Sequence, residues 1–295
     1  MTIAAIFAAM LVFTACDKDD NGSNQMTDLD FPVHIVTSID GQVQTRATFK
    51  DDGSGSFVNG DKFILRYAPV STSTYTNLTY TVGQTLKWSD ISDGRSLNLL
   101  AWYPDTAALV DVPNNANAKY IPGGLDLLVA PRVSAAPGET VNLQFAHAMH
   151  KLVINLTSEI HTAAQLAAAK ITLQPALKTH AYFEIVNGTV NAGAATTLDS
   201  PAAPYPVATG DSISFIVAPQ TLAANVPMVA ISVGGKNYMF NVPSGFVNGG
   251  RTLSSGRMLM LNLKISAAEV ALNASNFSAW VDQGMHNGNP TETTP

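Results

Sequence analysis

Between Leu29 and Val36 the chain alternates: Phe31, Val33 and Ile35 fall on one face at period two, and Pro32, His34 and Val36 on the other. This pattern predicts a half-buried strand. Pro32 cannot donate to a neighbouring strand, which places the strand at a sheet edge or at its own start. The following stretch to Ala47 is polar and ends in Thr45-Arg46-Ala47. Polar loops of this kind are where proteases nick a chain, and one cut there would separate the first strand from the rest.

Downstream, short apolar or alternating runs are punctuated by turn residues. Asn59-Gly60-Asp61 is a turn signal, and Lys62 to Ala68 reads as a strand with Phe63, Leu65 and Tyr67 on one face. Strands are expected at Asn77–Val82, Thr85–Trp88, Leu97–Tyr103 and Leu125–Ala130, with a long polar loop over Thr106–Lys119 and a linker over Val133–Thr140. From Val141 to Leu156 the apolar parity changes near His150 and Lys151, which predicts a bulge or a strand covered on both faces. Thr162–Ala169 is Ala-rich and expected to form one or two helical turns. Asn187-Gly188 predicts a type I′ hairpin turn after a strand over Ala181–Val186, and Gly234-Gly235 predicts a second hairpin. Ile171–Leu173, Asp211–Ala218 and Met258–Ile265 complete the strand set, and Asn273–Val281 is the last apolar segment. The expected architecture is all-β, with two tandem β-sandwich domains of about seven strands each. They cover 28–139 and 140–295, with 28–46 as the removable first strand and a polar tail at the C-terminus.

Charged residues are only 13% of the chain, against about 25% in typical globular proteins. The net charge is −6. Residues 1–46 carry Asp17, Asp19, Asp20, Asp28, Asp30 and Asp40 against Lys18 and Arg46, so the remainder is close to neutral. That balance carries no electrostatic footprint for nucleic acid or an anionic membrane surface. The chain has one cysteine, Cys16, directly after an apolar run of signal-peptide length that is too short to span a bilayer. Val12-Phe13-Thr14-Ala15-Cys16 resembles a bacterial lipobox, with Phe13 where Leu is usual. Residues 1–16 are therefore read as a lipoprotein signal peptide and Cys16 as the lipidation site. Several acyl chains at about 0.8 kcal/mol per buried CH₂ give stable anchoring. Residues 17–27 form an acidic, polar spacer opened by Asp17-Lys18-Asp19-Asp20, which resembles the acidic tetrad of surface-exposed lipoproteins in Bacteroidetes.

Taken in order, these pieces resemble the fimbrillin family of Bacteroidetes, whose members are pilus subunits polymerised after proteolysis. Thr45-Arg46-Ala47 with Asn59-Gly60-Asp61 resembles the family's cleavage region and the turn after it. Trp88 with Leu100-Ala101-Trp102-Tyr103-Pro104, Asp126-Leu127-Leu128-Val129-Ala130 and Phe145-Ala146-His147-Ala148 resemble its internal motifs. So do Ala218-Pro219-Gln220-Thr221 and Trp280-Val281-Asp282-Gln283-Gly284. The resemblance implies transthyretin-like sandwiches, export as an outer-membrane lipoprotein, and display on the cell surface in a fimbrium. It implies cleavage by an Arg-specific protease between Arg46 and Ala47. The strand carrying Phe31, Val33 and Ile35 is then displaced, and a strand of another fimbrial subunit fills the groove head to tail. Val270, Leu272, Phe277 and Trp280 are the candidate donor strand, Val270 and Leu272 sharing a parity with Ala274. The alternative is a non-polymerising surface lipoprotein that acts as an adhesin for host, bacterial or glycan ligands.

Other chemistry is thinly represented. His147 and His150 form an H-x-x-H, but on a regular strand they point to opposite faces with no third ligand nearby. No metal or cofactor is expected, and His147 is expected to be a packed, hydrogen-bonded core residue. Trp102 is expected in the core; Trp88 and Trp280 are open to stacking on sugars or to ordinary packing. The chain carries no Gly-x-Ser-x-Gly, Walker loop or dinucleotide-binding turn, and no catalytic residues are expected.

Overall fold

The computed structural model describes residues 29–39, 57–105, 109–112, 115–192, 206–246, 250–267 and 269–279. The lipobox with Cys16, the spacer 17–27, Arg46, Ala47, Trp280 and the tail from Asp282 lie outside the described residues. Among those described, the strands in chain order are β1 (Ile35–Ile39), β2 (Lys62–Pro69), β3 (Thr76–Thr81), β4 (Leu97–Tyr103), β5 (Val110–Val112), β6 (Asn115–Ile121), β7 (Leu128–Ala135), β8 (Val141–His147), β9 (His150–Ser158) and β10 (Lys170–Leu173). They continue as β11 (Ala181–Glu184), β12 (Thr189–Ala192), β13 (Val207–Thr209), β14 (Ser212–Val217), β15 (Gln220–Thr221), β16 (Pro227–Val233), β17 (Lys236–Asn241), β18 (Thr252–Leu253), β19 (Arg257–Ile265) and β20 (Val270–Ala279). Two short helices, α1 (Trp88–Ile91) and α2 (Ala163–Ala167), interrupt them. The fold is all-β.

A six-stranded sheet runs β1-β8-β7-β4-β2-β3, and three four-stranded sheets run β14-β9-β19-β20, β13-β10-β16-β17 and β12-β11-β6-β5. The six-stranded sheet buries a core that includes Phe63, Leu65, Leu97, Leu99, Leu143 and Phe145. The sheets containing β9 and β10 enclose a second core around Leu152, Ile154, Ile171, Val229, Leu259 and Leu261. A third cluster joins residues from both halves of the chain, with Leu100, Trp102 and Ile121 against Met149, Phe183 and Ala218. Its central ring pair, Trp102 and Phe183, meets edge to face at 5.6 Å, a favoured aromatic geometry.

The parity change expected near His150 has a different cause from either anticipated. β8 is buried at alternate positions up to His147, and β9 restarts the alternation at His150. Ala148 and Met149 carry the chain from the six-stranded sheet into the next. The expected linker over Val133–Thr140 is the end of β7 and a tight turn into β8, which pairs in that same sheet. The chain therefore leaves the six-stranded sheet at Ala148–Met149 rather than at Pro137-Gly138.

Three further expectations are corrected. Thr85–Trp88 is not a strand: Asp90 accepts from the Lys87 backbone N–H at 2.9 Å and caps the single turn of α1. Within Thr106–Lys119, β5 pairs with β6, and β6 continues to Ile121 and pairs with β11. These short polar stretches are strands because their partners supply the buried face, a context that local propensity does not contain. The hairpin at Asn187-Gly188 spans four residues instead of two, since Glu184 pairs with Thr189. Ile185 turns into the third cluster instead of extending the strand, and Gly188 adopts φ +74° where a Cβ would sit 3.0 Å from Pro131 Cα. At Gly234-Gly235 the two-residue turn forms as expected, both glycines having positive φ.

Candidate functional site at two sheet edges

The segment Leu29–Ile39 occupies one edge of the six-stranded sheet. Val33 and Ile39 are buried, Leu29, Phe31 and Ile35 are half-buried against the same core, and Pro32, His34 and Val36 face out. The segment is held in two stretches. Over Leu29–Val33 it lies antiparallel to Leu86–Ser89: Val33 N–H donates to Leu86 C=O at 2.7 Å, Trp88 N–H to Phe31 C=O at 3.1 Å, and Ser89 N–H to Leu29 C=O at 3.0 Å. Asp30 and Lys87 add an ion pair at 2.5 Å, with both side chains well exposed. From His34 onward the segment turns onto β8. Val141 N–H donates to His34 C=O at 2.8 Å, and Ile35 to Ile39 pair in parallel with Val141 to Phe145.

The floor of this seat is rigid and apolar. Val141, Leu143 and Phe145 alternate inward on β8, and each is at most 1% exposed. The Phe145 ring packs at an angle against Phe57 at 4.7 Å and edge to face with Phe63 at 5.3 Å between centroids. The Phe31 ring reaches over the turn before β8, close enough that a Cβ on Gly138 would touch it at 3.8 Å. Trp88, expected to be either a sugar platform or core, is fully buried beneath this segment's contacts.

Residues 40–56 connect Ile39 to Phe57 and contain Arg46 and Ala47. Both ends of this connection converge on one residue, for Ile39 is the register partner of Phe145 and Phe57 packs on its ring. Phe57 is itself buried in the core, and the Asn59–Asp61 turn holds it there through Asp61 N–H to Val58 C=O and Val58 N–H to the Asp61 carboxylate. The body therefore has its own anchor immediately after the connection.

The other edge of interest is β20, which pairs antiparallel with β19 from Val270↔Ile265 to Ala279↔Arg257. Val270 and Leu272 are half-buried against the second core. The register shifts between Asn262 and Leu263, where Asn273 is the extra residue. The bulge moves the inward parity, so Ala274 is exposed and Ser275 is buried, against the simple alternation of Val270, Leu272 and Ala274. Phe277 lies in register with Leu259. Every donor residue within the described range is thus a member of the chain's own sheet.

The two histidines of the H-x-x-H serve different sheets. His147 Nδ1 is 2.8 Å from an Asp126 carboxylate oxygen, and His150 Nδ1 donates to Ser254 C=O at 2.8 Å. Burial holds the His150 pKa down to about 4; the Ser254 carbonyl opposes this and Arg257 adds to it. Among the described residues no group of three or more His, Cys, Asp or Glu side chains is placed to hold a metal ion. An open groove of about 310 Å³ on the outer face of β10, β16 and β17 is lined by Lys170, Thr172, Ala230, Ser232, Asn237 and Met239. None of its described lining residues is a carboxylate or a histidine.

The chain matches the family model described as fimbrillin-like over residues 44–280. Among solved structures it is similar to a proposed cell adhesion protein of Bacteroides uniformis, at 18% identity with a TM-score of 0.58, covering 86% of this chain and 100% of the other. A proposed cell adhesion protein of Bacteroides ovatus aligns at 16% identity with a TM-score of 0.55, over 86% and 99% of the two chains. At these identities the two structures establish the fold. No curated protein sequence matches the chain.

Proposed function

The chain belongs to the fimbrillin-like family, and from that premise we propose that it is a structural subunit of a cell-surface fimbria whose first strand is cut away and replaced by a strand of another subunit. The observation that carries this reading is the seat of Leu29–Ile39: an edge segment buried in a core, with Arg46 in the connection that follows it. Cleavage between Arg46 and Ala47 by an Arg-specific protease leaves the body anchored by Phe57, while Phe31, Val33, Ile35 and Ile39 lose their covalent tie to it. Their departure uncovers Val141, Leu143 and Phe145. Each large apolar side chain exposed costs roughly 1.5–3 kcal/mol, so an empty seat favours capture of another strand. Lipidation at Cys16 supplies the outer-membrane anchor before the cut.

The test is digestion of the purified chain with an Arg-specific protease. The expected product begins at Ala47 and forms detergent-resistant oligomers with its fimbrial partner subunits, and Arg46→Ala abolishes both. Oligomers formed equally well by Arg46→Ala would overturn the reading.

The docked state of β20 favours a second reading, a surface lipoprotein that acts as an adhesin without polymerising. In that case clipping at Arg46 yields a monomer that stays monomeric with every partner subunit, while ligand binding survives at monomer concentrations.

A further inference from the structure

β1 differs from every other edge strand among the described residues. The six-stranded sheet is antiparallel at β8–β7, β7–β4, β4–β2 and β2–β3, and parallel only at β1–β8. The other edges, β3, β5, β12, β13, β14, β17 and β20 and the two strands of the β15–β18 pair, are each held by antiparallel pairing. The one other parallel pair, β9–β19, is interior, with β14 and β20 covering its two sides. Parallel pairing is the less stable mode per residue, and here it sits at the edge that precedes Arg46.

The cause lies in the first half of the segment. Leu29–Val33 is laid antiparallel to Leu86–Ser89. Chain continuity then obliges Ile35–Ile39 to run alongside β8 in the same direction as β8. A strand arriving from another molecule is free of that constraint. The edge of β8 offers it backbone hydrogen-bonding groups, an inward row of Val141, Leu143 and Phe145, and an outward row of exposed Asn142 and Gln144.

We infer that the strand which replaces β1 runs antiparallel to β8. This rests on the strand-replacement reading above. The partner it describes is an extended segment of another subunit with apolar residues at alternate positions and polar ones between them. Its N-terminal end lies at Phe145 and its C-terminal end at Val141. The resident strand then holds its place through covalent attachment and through the Leu29–Val33 contacts. Cleavage removes the first of these advantages, and the incoming strand gains the stronger pairing on β8.

The probe is a pair of synthetic peptides, one with the sequence Val33–Ile39 and one with the same residues in reverse order. Run antiparallel, the reversed peptide presents the same side chains to the same floor positions. The receiver is the full chain carrying Asn142→Cys, cut after Arg46 and freed of its N-terminal fragment in mild denaturant. Cys16, the chain's one natural cysteine, leaves with that fragment. Each peptide is made with a cysteine at either its N- or its C-terminal end. The expected result is disulfide trapping at Asn142→Cys by C-terminal cysteines and not N-terminal ones, with the reversed peptide binding about fivefold tighter or more. Trapping by N-terminal cysteines, or equal or tighter binding of the native-order peptide, overturns the inference and leaves strand replacement standing. Failure of both peptides to bind overturns strand replacement itself.

Discussion

The two edge strands at the ends of the described chain make opposite use of the same hydrogen-bonding groups. β1 is five residues long, pairs in parallel, and has only Val33 and Ile39 of its segment buried. β20 is ten residues long, pairs antiparallel along nearly the whole of β19, and carries a bulge that fits its parity to the core. On the proposed reading, a strand that is short, parallel and joined to the body through the connection that contains Arg46 can leave without taking the core with it. A strand that covers Leu259, Leu261 and Leu263, each fully buried, is part of what holds its sheet. Under the strand-replacement proposal, β8 is the edge that receives a strand and β19 the edge that keeps its own.

The largest expected effect breaks that asymmetry directly. Ending the chain before Val270 strips one side of β19 and is expected to abolish cooperative thermal unfolding and soluble expression. Cutting after Arg46 is expected to lower the melting temperature and leave a single cooperative transition. Circular dichroism melts of the two products decide it, and equal tolerance of both losses would erase the distinction. Next in size is Phe145→Ala. This ring is the floor of the seat and the meeting point of Phe57 and Phe63, so its loss is expected to cost about 3–5 kcal/mol in chemical denaturation. The stability difference between cut and uncut protein should shrink in that variant, because the seat then has less to offer any strand.

Much of this was legible along the chain. The face shared by Phe31, Val33 and Ile35, the turn at Asn59-Gly60-Asp61 and the extent of β4 follow from side-chain parity and turn chemistry, which are local. The misreadings share a physical origin. β5 and β6 look like loop because Asn115, Asn117 and Lys119 alternate with small residues, and the strand that ties this hairpin into a sheet, β11, comes from elsewhere in the chain. The change of parity after His147 signals a change of sheet, and a bulge would leave the same trace. The bulge at Asn273 depends on the register with β19, and the parallel direction of β1 on the docking of Leu29–Val33 against Leu86–Ser89. Neither is encoded in the segment that shows it.

A pH titration probes the join between the two sheets. Burial holds His150 neutral, with a folded pKa of about 4 against 6.5 for the free group. Between those values the unfolded chain binds more protons than the folded one, so stability rises with pH across the window. The contribution is fully present above pH 6.5 and is lost as the pH falls to about 4, a change of about 3 kcal/mol. Denaturant midpoints measured at half-unit steps between pH 4 and 7 should show this slope. His150→Gln should lower stability at pH 7 and remove that part of the slope. A slope unchanged in the variant would assign the titration to another group.

The smallest effect concerns the grip on the first half of the Leu29–Ile39 segment. Asp30 and Lys87 form an ion pair, but both side chains are well exposed, and such pairs contribute from nothing to about 1 kcal/mol. The backbone bonds between Leu29–Val33 and Leu86–Ser89 remain when the charge is removed. Lys87→Ala is therefore expected to change global stability by less than about 0.5 kcal/mol and to speed release of the N-terminal fragment after cleavage only slightly. What effect it has should fade by 1 M salt, where the screening length is about 3 Å. A large, salt-insensitive acceleration would show instead that the Lys87 side chain supports the segment by more than its charge, at the start of the turn that carries Trp88. The grip on β1 would then be exerted from the floor of the core, and the contrast with β20 would rest less on pairing direction than on what lies beneath the strand.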